Sequence, residues 1–474
     1  MKHLLIIFSF LLLFSSIFIS CSKSSDDGSK STDNTTSTDN TTSTDNTTST
    51  DNTTSTDNTT TSTWTKQLGT TFSDYGFSVT SDSSDNIYVT GYASRDLDGN
   101  TSSGGRDIFL LKYNSSGTRQ WTKQLGTNYT DYGLGVTTDS SGNIYVTGHT
   151  WGGLDGTGHT WGEGDYEGKI NLGYTDVFLV KYNSSGTKQW TKQLGTSYWD
   201  YGNSVTTDSS DNIYVNVVTS GDLDGNTSSG GNDTFLVKYN SSGTKQWTKQ
   251  LGTSNNDYGN SVTSDSSDNI YVTGYTDGGL DGNTSSGTND IFLVKYNSSG
   301  TKQWTKQLGT SYLDEGYSVT TDSLDNIYVT GWTNWNLDGN TSSGGRDIFL
   351  LKYNSSGTKQ WTKQLGSSSV DEGYGVTTDS LDNIYVTGIT YGDLDGNTNS
   401  GNGDIFLLKY NSSGTKQWTK QLGTSSFDEG QGVTTDSLDN IYVTGITYGD
   451  LDGNTKSGNG DIFLVKYDSS GIKQ

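Results

Sequence analysis

Cysteine is almost absent: Cys21 is the only one in 474 residues, so no intramolecular disulfide can form and the folded part has no cysteine metal site or nucleophile. Histidine is nearly as scarce, and beyond the first residues only His149 and His159 remain. Both fall in one short insert, and no nucleophile-elbow sequence occurs, which leaves no place for a Ser-His-Asp arrangement. Basic residues are in deficit, 29 Lys and Arg against 53 Asp and Glu, for a net charge of −24. Such a surface repels phosphates and anionic headgroups, so nucleic acids and direct lipid-headgroup binding are excluded as main partners. No phosphate-cradling glycine loop precedes a helix. Apolar residues make up only 28% of the chain, which alone would suggest disorder. The repeat pattern overrules that suggestion.

The N-terminus reads as an address. Lys2 is followed by an apolar stretch at residues 4–19 and then Ser20-Cys21, a pattern expected of a signal peptide over residues 1–20 and shorter than a membrane span. Phe18-Ile19-Ser20-Cys21 resembles the bacterial lipobox, with Phe18 where Leu is usual. The resemblance implies acylation of Cys21 (palmitate-type lipidation), a cell-envelope location and, because Ser22 is not the retaining Asp, the outer membrane or cell surface. An ordinary secreted thiol would instead invite dimerisation. Residues 21–63 read as a tether. From Ser31 it repeats Ser-Thr-Asp-Asn-Thr-Thr with nothing to bury, and its last 33 residues span about 30 Å as a flexible coil. Its Asn-Thr-Thr triplets read as polar filler rather than glycosylation sites.

Residues 64–474 are repetitive. WTKQLG begins at Trp64, Trp121, Trp190, Trp247, Trp304, Trp361 and Trp418, 57 residues apart except for 69 in the second unit. The first unit holds four strand-like runs, at residues 77–82, 86–90, 107–113 and 118–126, separated by Gly, Asn, Asp and Ser clusters. Two of the links are hairpin-sized. Seven units of four antiparallel strands predict an all-β, seven-bladed propeller, expected to be a monomer. Ile108-Phe109-Leu110-Leu111 is apolar on both faces and suits a middle strand, whereas Trp121-Thr122-Lys123-Gln124-Leu125 alternates with polar residues and suits the outer edge. The Ser-Val-Thr run is left to line the channel. The last repeat stops at Gly471-Ile472-Lys473-Gln474, where the others continue into WTKQLG, so the segment at Trp64 should complete the seventh blade. A β-solenoid, with coils of about 20 to 30 residues, is the competing architecture.

Units such as DEGYGVTTDSLDNIYVTGIT at residues 371–390 resemble the bacterial β-propeller repeat known as SBBP, with its Asp-x-x-Asn-hydrophobic-Tyr-Val-Thr-Gly core. The resemblance implies the fold and a secreted or surface protein, and it supplies no catalytic residues.

Differences between repeats concentrate in the loops of one face. Trp151, Trp161, Trp199, Trp332 and Trp335, joined by Tyr92, Tyr275, Tyr391 and Tyr448, are read as exposed loop aromatics suited to stacking on sugars or anchoring a protein; local packing between loops is the alternative. His149 and His159, with Glu163, Asp165 and Glu167, could bind a divalent metal, but no fixed ligand spacing supports this and a solvated loop is the expected reading. Calcium has more pattern behind it. Asp96, Asp98, Asn100 and Asp107 place oxygens at positions 1, 3, 5 and 12 of a loop, and Asp222, Asp224, Asn226 and Asp233 repeat the set. So do Asp393, Asp395, Asn397 and Asp404, and Asp450, Asp452, Asn454 and Asp461. Self-capping Asp-Gly turns are the alternative.

Asp74, Asp131, Asp200, Asp257, Asp314, Asp371 and Asp428 are expected as a ring near the channel mouth, thickened on one side by Glu315, Glu372 and Glu429. A blade-to-blade hydrogen-bonding role is expected of the aspartates rather than paired-carboxylate catalysis. The reading is therefore a lipid-anchored binding platform for a glycan or protein, with a structural envelope protein and a carbohydrate-active enzyme as alternatives.

Overall fold

A computed structural model describes residues 64–154 and 173–474. Twenty-eight strands, β1 (Lys66–Leu68) to β28 (Asp461–Tyr467), form seven four-stranded antiparallel sheets in this part. The first complete blade is β2 (Tyr75–Ser81), β3 (Ile87–Ala93), β4 (Asp107–Tyr113) and β5 (Arg119–Leu125), innermost to outermost. The seventh sheet takes its outer strand from the start of the domain: β1 pairs with β28 in the register Lys66↔Leu464, Gln67↔Phe463, Leu68↔Ile462. The chain is therefore a closed propeller, and a linear solenoid is ruled out.

The low apolar content suffices because it is concentrated. In the two middle strands of the first blade nearly every side chain is buried, Ile87 to Ala93 throughout. Each hydrophobic cluster is shared by two blades: Tyr328, Ile348 and Leu350 of one pack on Val376, Ile384, Val386 and Phe406 of the next. The closing seam has the same composition, with Tyr442, Ile462 and Leu464 against Val79, Val89, Phe109 and Leu111. A blade alone would leave both apolar faces wet, so only the ring buries them.

The repeated Asp-x-x-x-Asn-Ile-Tyr motif ties each inner hairpin. Asp379 Oδ1 accepts the backbone N–H groups of Leu381 and Asn383 at 3.0 and 2.8 Å, and Oδ2 accepts Asn383 Nδ2 and Tyr385 Oη, both at 2.8 Å. Short polar side chains that bond their own turn are the usual price of a tight hairpin, and here the tyrosine couples the turn to the core.

The second strand runs longer than its alternation suggests, through Gly91 and Tyr92 to Ala93 rather than ending at Thr90. Gly91 reads as a break but is a point of close backbone approach. A Cβ there would lie 1.7 Å from the carbonyl oxygen of Tyr75.

Candidate functional site

In an antiparallel blade the loops after the outer strand and those between the middle strands share one end, and the two short hairpins share the other. The loop end carries the variation. Trp335 is 51% exposed and lies 5.3 Å from the exposed ring of Tyr312. Exposed Tyr391 approaches Phe427 at 6.3 Å, and Phe427 meets Tyr448 edge-on at 5.7 Å. Half-buried Trp199 stacks on Tyr174 at 5.1 Å with planes 9° apart, and Trp151 meets it edge-on at 5.7 Å. These rings pack on one another and still present area to solvent.

Three of the aromatics read as loop residues are not in loops. Tyr92, Tyr275 and Trp332 occupy the extended second strands and are buried, Trp332 to 2% exposure. Arg346 covers Trp332, its guanidinium 4.0 Å from the ring centre, and Arg106 covers Tyr92 at 4.4 Å. Phe72, Tyr198 and Tyr312 are exposed on the variable end instead, and Tyr174 beside them. Except for Tyr174, their signal was the second slot of the variable stretch after each WTKQLG, for example Thr-Phe-Ser-Asp and Ser-Tyr-Leu-Asp. Trp161 lies outside the described residues.

Inside this end runs a ring of seven side chains from the innermost strands: Tyr75, Tyr132, Tyr201 and Tyr258 in four blades, Glu315, Glu372 and Glu429 in the other three. Asn289 Nδ2 donates to Glu315 Oε1 at 2.7 Å and Tyr317 Oη to Oε2 at 3.1 Å. Glu372 accepts from Arg346 and Tyr374. Glu429 accepts from Tyr75, and from Gln431 Nε2 at 2.6 Å. Burial, which penalises the charged form more than these donors favour it, pushes Glu315 and Glu429 up to about 7.

Two residues further along each innermost strand a bulge breaks the register, as at Tyr317 between Gly316 and Ser318. The bulged residue is again variable: Phe77, Leu134, Asn203, Asn260, Tyr317, Tyr374 and Gln431, all lining an axial cavity of about 150 Å³. The channel wall beyond is the run of Ser78-Val79 and its equivalents, with Gly135, Gly375 and Gly432 in place of serine in three blades, as elimination leaves it.

The seven aspartates do not line the channel mouth. All are fully buried at blade junctions. Asp131 accepts the N–H of Thr127 at 2.6 Å and the hydroxyl of Thr150, both near its own strand, while its N–H crosses to the carbonyl of Arg106 in the preceding blade. The blade-to-blade link is thus made by backbone, and the carboxylate orders the loop. Its neighbour across the junction is a second buried carboxylate, Asp107, and burial with that like charge raises Asp131 to about 6 and, beside Asp176, Asp200 to about 7. Asp107 Oδ1 is buried without a hydrogen-bond partner, and so are the equivalent oxygens of Asp233, Asp290, Asp347, Asp404 and Asp461.

The calcium loops also resolve differently. Asp96, Asp222, Asp393 and Asp450 accept backbone N–H groups six residues on, at 2.7 to 2.9 Å. Asp98, Asp224, Asp395 and Asp452 have positive φ and pair outward with Arg119, Lys245, Lys416 and Lys473. Asn100, Asn226, Asn397 and Asn454 cap the carbonyls three residues back, and Asp107, Asp233, Asp404 and Asp461 take the N–H of Ser103, Ser229, Ser400 and Ser457. Apart from the partnerless Oδ1 of Asp107, Asp233, Asp404 and Asp461, these groups are taken up by turn hydrogen bonds and outward ion pairs, and among the described residues no three His, Cys, Asp or Glu gather as a metal site. His149 is likewise no loop ligand. It sits in a second strand (Ile144–Thr150), 4.7 Å from Tyr132 and 5.0 Å from Tyr201, and burial pushes it down to about 3. His159, Glu163, Asp165, Glu167 and Cys21 lie outside the described residues.

Seven stretches, residues 63–98, 120–155, 189–223, 246–281, 303–338, 360–395 and 417–452, match the model of a β-propeller repeat called SBBP. An uncharacterized WD repeat-containing protein of Acanthamoeba polyphaga mimivirus is 24% identical over 81% of this chain and 36% of its own length. The regulatory protein FlaEY of Caulobacter vibrioides is 34% identical over 34% of this chain and 17% of its own. The chain thus spans little more than a third of the first of these relatives and less of the second. Among solved structures, an ulvan lyase is similar at 13% identity, with TM-score 0.45, over 86% of this chain and 97% of that one.

Proposed function

Since the chain belongs to the SBBP β-propeller repeat family, we propose that its ring is a recognition module, binding a glycan or protein through the loop end while a lipid on Cys21 holds it to the cell envelope. The observation that carries the reading is the coincidence of variation and exposure. Blades that are otherwise copies differ at Phe72, Tyr198, Tyr312 and Trp335, and those rings, with Tyr174 and Tyr391, are open to solvent. Aromatic faces beside hydroxyls and carboxylates suit stacking on sugar rings, and the same rings can anchor a protein. In this reading residues 1–20 are a removed leader, 21–63 a tether and 64–474 the module, displayed from the outer membrane or cell surface.

The test is binding of the folded chain, with calcium present, to glycan and matrix-protein arrays, alongside a Tyr312→Ala/Trp335→Ala variant. Losing two hot-spot rings should weaken binding at least about tenfold, with the bound glycan recovered intact. Blank arrays, or a variant that binds like the parent, would overturn the reading. Recovery of a cleaved ligand would turn it into the carbohydrate-active alternative.

A further inference from the structure

The hairpin end is nearly uniform, and its departures are few. Its inner hairpins read Asp-Ser-x-Asp-Asn in six blades and Asp-Ser-Ser-Gly-Asn in the second, and the middle residue is Ser84, Ser141, Ser210 and Ser267 in the first four. In the last three it is Leu324, Leu381 and Leu438, exposed at 73%, 73% and 74%. Ile472, 62% exposed, lies in the outer hairpin of the last blade, at the same end. Leu324, Leu381 and Leu438 add little to the core, yet they recur at one position in three consecutive blades instead of being scattered singly.

They are also held in place. Ser323 N–H donates to Asp382 Oδ1, Ser380 to Asp439 and Ser437 to Asp85, each at 2.9 Å. These hairpins are therefore consecutive links of one hydrogen-bonded run, which reaches the first blade and stops there because Gly142 offers no carboxylate, and the leucines form an arc on a rigid rim. The upstream chain joins the domain at this end. Trp64 is level with Lys466 and Tyr467 in the last blade, beside the hairpin that carries Ile472, and 63 residues precede it in the sequence.

We propose that Leu324, Leu381, Leu438 and Ile472 rest on the bilayer that holds the N-terminus, turning the loop end outward. The inference rests on the lipid-anchor reading and adds an orientation to it. Each leucine offers only a shallow apolar contact, but a tether makes the encounter intramolecular, so weak contacts act at high effective concentration. A chain of net charge −24 fits zwitterionic lipid rather than anionic headgroups.

The experiment uses the chain from Cys21 onward, its thiol coupled to a maleimide phospholipid in phosphatidylcholine–phosphatidylethanolamine vesicles, so that anchoring does not depend on the cell. Amide exchange at residues 321–326, 378–383 and 435–440 should slow several-fold on vesicles while the loops of the opposite end keep their rates. Leu324→Ser/Leu381→Ser/Leu438→Ser, which restores the residue four blades already use, should melt like the parent and lose the slowing. Equal exchange on and off vesicles, or slowing that survives the triple variant, overturns the proposal. So does protection of the same hairpins in a vesicle-free dimer. The mass of Cys21 in chain from native cells tests the anchor separately: an unmodified thiol removes that reading and leaves the vesicle result standing.

Discussion

The backbone N–H of Trp64 donates to the carbonyl of Gln474 at 2.5 Å, where every other blade has the same two residue types joined by a peptide bond, as in Gln120-Trp121. The outer strand of the last blade is thus two segments laid end to end, and Trp64 seals them by meeting Tyr442 edge-on at 5.2 Å.

A circular permutant should therefore fold. Joining Gln474 to Trp64 and opening the exposed hairpin at residues 297–301 should give a ring with the same circular dichroism and a melt at least as high as the parent. In the natural order, Trp64→Ala should cost about 3–5 kcal/mol and more than Trp121→Ala, whose strand is continuous. Equal melts for the two variants would refute the seam's special role.

Stability should fall from mild acid toward neutral pH in the part controlled by the junction carboxylates. Asp131 and Asp200 are raised to about 6 and about 7, from 3.8, chiefly by burial. A raised carboxyl binds its proton more tightly in the folded state, so this contribution is full below about pH 4 and is lost as pH climbs through 6 to 7. Melts recorded between pH 4 and 8 should show that slope, and Asp131→Asn/Asp200→Asn should flatten it.

Asp314→Ala should act on stability before it acts on binding. Asp314 accepts the N–H of Thr310 at 2.6 Å, the Thr310 hydroxyl at 2.8 Å and the Thr333 hydroxyl, and alanine strands buried donors. The expected cost is about 2–4 kcal/mol, read as a lower melt, and an unchanged melt would contradict the assigned role.

Two glycines should differ sharply. A Cβ on Gly126 would lie 2.1 Å from Asp107 Oδ1, whereas Gly99 has φ +78° and open space around it. Gly126→Ala should cost about 3 kcal/mol or more through a clash with a buried carboxylate, and Gly99→Ala only about 1 kcal/mol through backbone conformation. Adding Asp107→Ala should recover much of the first loss, a non-additivity that urea melts can measure.

The inner hairpins give a last check. Asp379→Ala removes four hydrogen bonds at once and leaves Tyr385 Oη buried, so it should destabilise by about 3 kcal/mol or more. Leu381→Ser on the same turn should be neutral.

Repeat period, blade count and strand order were legible because they are local and periodic: each 57-residue unit carries its own turn chemistry and an apolar middle, and repetition sums the signal. Ring closure was legible too, since the half-strand missing at Gln474 is present at Trp64. The aromatic site was legible only in part. Trp335 and Tyr391 are open to solvent, but Trp332 and Tyr92 disappear beneath Arg346 and Arg106, because the glycine read as a strand end is a close-approach residue inside the strand.

By itself the sequence determined the propeller, its closure and the face on which the blades differ, all set by spacing within one chain segment. Only the tertiary structure decided which carboxylates meet, which aromatics stay exposed and where the oxygens of the Asp-Gly loops point. Those outcomes depend on contacts between blades, where the partner of Asp131 or Trp332 is chosen by burial and backbone path rather than by any local pattern.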